Sequence, residues 1–144
     1  MTASPQVALL LIRLGFGAFI ALWGVSKILQ PGAAQAIFDA HYGIGGLGIA
    51  LAYGLGALQS LLGVAIMLGA ARTVSYGLGL AVHGAGMIAT LQHYLLPFAE
   101  GSNLVFWASV PILLGALGLF LARHDDTMFS IDARRRAGLR PSTA

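Results

Sequence analysis

Three side chains stand where an apolar sequence has least reason to carry them: Arg13, Gln59 and His83. A guanidinium, a carboxamide and an imidazole can together hydrogen-bond a polar headgroup such as a quinone carbonyl. Each lies in a long apolar run, and each shares a helix face with small residues. At about 100° per residue, Arg13, Gly17, Ile20, Gly24 and Lys27 fall within roughly 40° of one line. Ala52, Gly56, Gln59 and Gly63 make a second stripe, and Gly79, His83, Gly86, Thr90 and His93 a third. A charge aimed at lipid is costly, whereas one aimed at a bundle interior with a polar partner is tolerated. The stripes are therefore expected to face one another. At about 1.5 Å rise per residue, Arg13 lies ~9 Å, Gln59 ~16 Å and His83 ~14 Å above the inner boundary, so the three are expected to meet. Gly17, Gly56 and Gly86 would shape the slot beside them.

A second group, Lys27, Trp23, Tyr53, His93 and Trp107, is expected toward the outer boundary. Each residue also has a plainer reading. Arg13 can lock the bundle by bonding backbone carbonyls or Gln59, Lys27 can snorkel to the interface, and His83 can be a satisfied core histidine. Haem held by two histidines needs a second imidazole at the depth of His83, and His93 is ~15 Å further along the same helix. His93, His41 and an acid such as Asp39 or Glu100 lack the tight spacing of a metal site. No metal or haem bound by this chain alone is expected. His124 reads as a boundary residue. Gly77, Ala81, Ala85 and Ala89 form a small-every-four stripe, a means of bringing two helices close. "GLGLAVHG" does not open a soluble βαβ unit, so a dinucleotide site is excluded.

The elements that must position these groups follow from composition. The 144 residues are 58% hydrophobic and 9% charged, with a mean hydropathy of +0.83. A soluble domain carries about 25% charged residues, so the solvent here is mostly lipid. Runs long enough to cross it occur at Val7–Leu29, Leu47–Gly69, Thr73–Leu96 and Leu104–Ala122, broken by Gln30-Pro31-Gly32, Gly43–Gly46, Arg72 and Pro97–Asn103. Their length and lack of alternation make them helices, which also satisfy their own backbone in lipid. The expectation is an all-α, polytopic bundle of four transmembrane helices in residues 1–122, with a basic cytoplasmic tail in 123–144. Ala34-Gln35-Ala36 resembles a signal-peptide cleavage site, but no base precedes Arg13 and the run is too long, so cleavage is not expected.

The formal net charge is +3, yet five of the eight bases lie at or after Arg123. That distribution reads as a topology signal and a contact with anionic lipid rather than as nucleic-acid binding. Arg72, Arg123, Arg134, Arg135, Arg136 and Arg140 share one side, which places both termini in the cytoplasm. Trp23, Tyr53, Tyr94 and Trp107 fall near the opposite boundary, as an interfacial belt does. Pro31–Gly46, with Ile37 and Phe38, is expected to lie on the outer surface. The absence of cysteine excludes disulfides and thiol chemistry within this chain.

"LLIRLGFGAFIALWGVSKILQP" resembles the opening helix of the DoxX family of small four-span bacterial membrane proteins. "GALQSLLGVAIMLGAARTVSYGLGL" is similar to that family's second helix, tight turn and third-helix entry, so the likeness covers roughly residues 8 to 95. The resemblance implies a bacterial inner-membrane protein allied to membrane oxidoreductases, since the family includes a subunit of thiosulfate:quinone oxidoreductase. Where the family often has an acid in the second helix this chain has Gln59, which implies hydrogen bonding there rather than proton carriage.

The leading expectation is a membrane subunit of an oxidoreductase system that contacts quinone through Arg13, Gln59 and His83, with no catalytic constellation of its own and the redox cofactor lying on a partner subunit. The alternatives are a non-catalytic anchor or assembly factor whose polar cluster fixes helix register, and a conduit for a small solute or ion from His83 to His93.

Overall fold

A computed structural model describes residues 3–43, 45–46, 48–99 and 103–138. Leu47, Glu100 and Arg140, which entered the readings above, lie outside them. The described residues fold entirely as helices and turns. The elements are α1 (Ala3–Leu29), α2 (Pro31–Tyr42), α3 (Ile49–Met67), α4 (Arg72–Ala89), α5 (Leu91–Leu95), α6 (Leu104–Trp107), α7 (Ser109–Leu121) and α8 (Ile131–Gly138).

Local chemistry sets the breaks. Helix α1 stops before Gln30, because a residue preceding proline is pushed out of the helical region, and Pro31 opens α2 where no amide partner is needed. Helix α2 ends on Gly43, whose φ of 63° lets its N–H bond the Phe38 carbonyl. Between α3 and α4 the chain turns through Gly69 (φ 59°) and Ala71 (φ 46°). A short turn at Ala108 separates α6 from α7 without redirecting the apolar run.

Pro5–Leu29, Ile49–Met67 and Leu104–Leu121 are long and apolar enough to cross a membrane. They match the first, second and fourth expected spans. Helix α4, the expected third, is not among them, because Arg72, Ser75, Tyr76 and His83 lower its hydropathy, and the chain breaks at Thr90 before α5. The long helices pack in a ring, with α1 on α3, α3 on α4, α4 on α7 and α7 on α1. Phe16, Ile20, Ile66, Tyr76, Ala116 and Leu119 form its core. The outer faces expose Leu22, Leu58, Leu61, Ile88, Leu114 and Leu121 to the surroundings, which is the arrangement lipid requires.

Most of the stripe residues turn inward, while Lys27, Gln59, Gly86, Thr90 and His93 are half-buried. Arg13, Gly17, Ile20 and Gly24 on α1, Ala52, Gly56 and Gly63 on α3, and Gly79 and His83 on α4 are all buried. The closest backbone approach, however, is between α1 and α3. A Cβ added at Gly24 would lie 2.6 Å from the Gly56 carbonyl oxygen, and one at Gly56 would lie 2.7 Å from the Gly24 carbonyl oxygen. The small stripe expected to perform this task on α4 does not, for Ala81 and Ala85 are exposed and Gly77 faces the Phe120 ring.

Helix α2 packs on both α1 and α3, with Ala34 against Ala52 and Phe38 alongside. The segment expected as an extension after Arg123 is folded against the bundle end. Its Ile131 and Asp132 amides donate to the Leu68 and Gly69 carbonyls at 3.1 and 3.2 Å.

Candidate functional site

The densest polar centre is built by that folded-back segment. Arg13 Nη1 donates to both carboxylate oxygens of Asp126 at 2.9 and 3.0 Å, and its Nη2 donates to the Met128 carbonyl at 2.8 Å. The two side chains are 1% and 0% exposed. The Tyr76 hydroxyl donates to the same carboxylate at 2.5 Å, and Arg72 Nη1 bonds the Asp126 carbonyl. One carboxylate thus joins α1 to α4, while its backbone receives a second arginine.

A carboxylate removed from water must recover its solvation from donors, and charge-assisted bonds are the strongest available. Asp126 recovers it from a guanidinium and a phenol. Among the described residues, Arg13 Nε finds no partner in this centre.

Asp132 completes the charge balance. Its two oxygens accept the backbone N–H groups of Ala71 and Arg72, each at 2.9 Å, and the Arg72 guanidinium lies 3.7 Å away. Helix α4 begins without a capping side chain of its own, so the tail supplies the anion that its exposed amides and dipole favour. Partial burial raises the Asp132 pKa, but the Arg72 and Ala71 amides and the charges of Arg72 and Arg136 outweigh it and hold the carboxyl below its ordinary value. Two arginines and two aspartates leave the centre formally neutral. Ser130 Oγ to the Gly69 carbonyl, 3.0 Å, and Gln6 Nε2 to the Asp125 carbonyl, 2.6 Å, close its edges.

The meeting of Arg13, Gln59 and His83 expected from depth and facing does not occur. Arg13 turns toward Asp126. Gln59 Oε1 accepts Lys27 Nζ at 2.8 Å across the α1–α3 seam, and that ammonium also reaches the Trp23 carbonyl at 3.1 Å. His83, 8% exposed, places Nε2 3.1 Å from the Ser109 carbonyl on α7, with the Phe19 ring edge-on at 5.1 Å. The physical reason is competition: a carboxylate is a better partner for a buried guanidinium than an amide, and an ammonium pairs with the amide next to it. Gly17 and Gly56 are filled by the α1–α3 contact and shape no slot there. Gly86 is looser, with the Tyr42 hydroxyl the nearest group a Cβ would meet, at 3.6 Å.

The expected outer group divides in the same way. Lys27 lies 5.7 Å from the Trp23 ring centre and belongs to α1 and α3. His93 stacks on Phe106 at 4.2 Å with His41 at 5.7 Å, while Trp107 meets Tyr94 at 6.4 Å. Tyr53 remains exposed. Among the described residues no three acids or histidines gather as metal ligands.

An apolar groove of about 420 Å³ runs between α1 and α7, lined by Ile12, Phe16 and Phe19 on one side and Pro111, Ile112 and Ala116 on the other. The two phenylalanines also flank the His83 ring.

Sequence reasoning misses Asp126, Asp132 and Tyr76, and reads Arg72 only as a boundary residue. A signal existed. The chain has five acids, and only Asp125, Asp126 and Asp132 share the side assigned to Arg13, so a buried arginine had few places to look. Compared with known proteins, the chain matches no family model, no curated protein and no solved structure.

Proposed function

We propose that the chain is a non-catalytic anchor or assembly subunit of a bacterial inner membrane, crossing it four times with both ends in the cytoplasm. The carrying observation is that its inward polar side chains are engaged by partners within the fold. Arg13 is taken by Asp126, Gln59 by Lys27 and His83 by the Ser109 carbonyl. Groups so engaged fix helix register and offer little to a substrate.

The even number of crossings has its own support. Gln6, near the start of α1, bonds Thr127, after the end of α7, at 3.1 Å. The ends of the first and last long helices are therefore neighbours, which three crossings would separate. Helix α4 must then supply the fourth. Its 18 residues span about 27 Å, close to a hydrocarbon core of about 30 Å, and its Arg72, Ser75, Tyr76 and His83 are buried. The excess of arginine at that end favours the cytoplasmic side.

In the DoxX-like reading the partner is a membrane oxidoreductase that carries the redox cofactor. A quinone contact survives only in a narrower form, at His83, and what favours it is the apolar groove beside Phe16 and Phe19. Affinity purification of His83→Asn and Arg13→Ala variants from native membranes tests the choice. The anchor reading expects H83N to keep its level and its protein partner, and R13A to lose folded protein. Bound quinone that disappears in H83N at normal protein level would reverse it in favour of ligand contact.

A further inference from the structure

We infer that residues 127–138 form a surface that binds the anionic lipid headgroups of the protein's own membrane. The first observation is Phe129. Its φ of 51° is left-handed, a conformation that bulky side chains rarely adopt, and the residue is 66% exposed. Both neighbours are tied down, since the Met128 carbonyl accepts Arg13 and the Ser130 hydroxyl donates to the Gly69 carbonyl. The fold therefore holds an aromatic ring outward at the end of the bundle. Phenylalanine is among the apolar residues that interfacial elements bury at the headgroup/acyl boundary.

The second observation is independent of the first. The amides of Ile131 and Asp132 pin the start of α8 to the α3–α4 turn, where the span Ile49–Met67 ends. Arg134, Arg135 and Arg136 follow on α8, all exposed. Arg136 lies near enough to Asp132 to act on its carboxyl. Arg134 and Arg135 have no side-chain partner among the described residues. The acids that could neutralise them, Asp126 and Asp132, are already engaged, leaving Asp125 exposed. A fixed cationic helix beside an outward aromatic combines electrostatic attraction with interfacial insertion, the two contributions that peripheral membrane elements join.

The inference rests on the chain being embedded in a membrane, and not on its role as an anchor, so either can fail alone. The test is hydrogen exchange of residues 131–138 in the full-length protein, reconstituted in phosphatidylcholine or in phosphatidylcholine with phosphatidylglycerol. At low salt the anionic bilayer should slow exchange on the order of tenfold, and added salt should erase the difference. Arg134→Gln with Arg135→Gln should abolish it, while keeping wild-type exchange in phosphatidylcholine as proof of folding. Equal exchange of the wild type in both bilayers, or a difference untouched by the double variant, overturns the inference.

Discussion

Arg13 shows how far side-chain type alone can be read. That a cation in a lipid-soluble helix must face inward follows from solvation cost, and its burial agrees. Which partner it meets depends on a segment 113 residues away returning to the bundle, and helix geometry has no access to that. The same limit applies to Gln59, whose helix face was legible while its bond to Lys27 was not. Tyr76→Phe removes one charge-assisted bond from Asp126 and should cost about 1.5–3 kcal/mol, measured by thermal or denaturant unfolding in detergent. Asp132 allows a prediction of sign. Its folded pKa is depressed from 3.8, so its contribution is full above the unfolded value and is lost as pH falls through the folded one. Asp132→Ala should therefore lower stability by about 0.5–2 kcal/mol near neutrality. The gap between the two proteins should close in acid, and a gap that widened there would contradict the capping role.

The seam between α1 and α3 is the tightest contact between helices. Its glycines were visible as stripes, but a stripe is equally compatible with a slot for a ligand and with a helix pressed into it. Only the partner's register decides. Here Gly24 meets Gly56, and Gly63 meets Gly17, backbone against backbone. A methyl at Gly63 would lie 2.5 Å from the Gly17 carbonyl oxygen, and neither backbone can yield without parting the helices. Gly63→Ala should destabilise by about 1–3 kcal/mol, the range of an overpacked core. Gly54, on the same helix, has nothing within 4 Å of an added Cβ. Gly54→Ala should be neutral or stabilising by up to about 1 kcal/mol, because alanine loses less backbone freedom in a helix. Comparing the unfolding of the two variants separates helix contact from helix propensity. The apolar runs were legible because length and hydropathy determine them. Helix α4 was harder, since its inward polar face dilutes the signal on which a span is recognised.

Across the described residues, the segment after α7 closes the bundle rather than trailing from it. That closure was hidden in the sequence because the segment is polar and short, with the composition of a tail. The proposed four crossings would place Asp39 and Ala137 on opposite sides of the membrane. The chain has no cysteine, so Asp39→Cys and Ala137→Cys each introduce a unique label. An impermeant maleimide added to intact cells with a permeable outer layer should modify D39C, and A137C only after the inner membrane is opened. Both labelled from the same side would leave too few or too many crossings. The claim on which the rest depends is that Arg13 and Asp126 hold the first helix and the final segment together. A double-mutant cycle with Arg13→Met and Asp126→Leu, read by unfolding in detergent, measures that link directly. Each single variant strands a buried charge and should lose about 3–5 kcal/mol, with the double losing less than their sum by at least about 2 kcal/mol. Strictly additive losses would show that the two residues do not depend on each other.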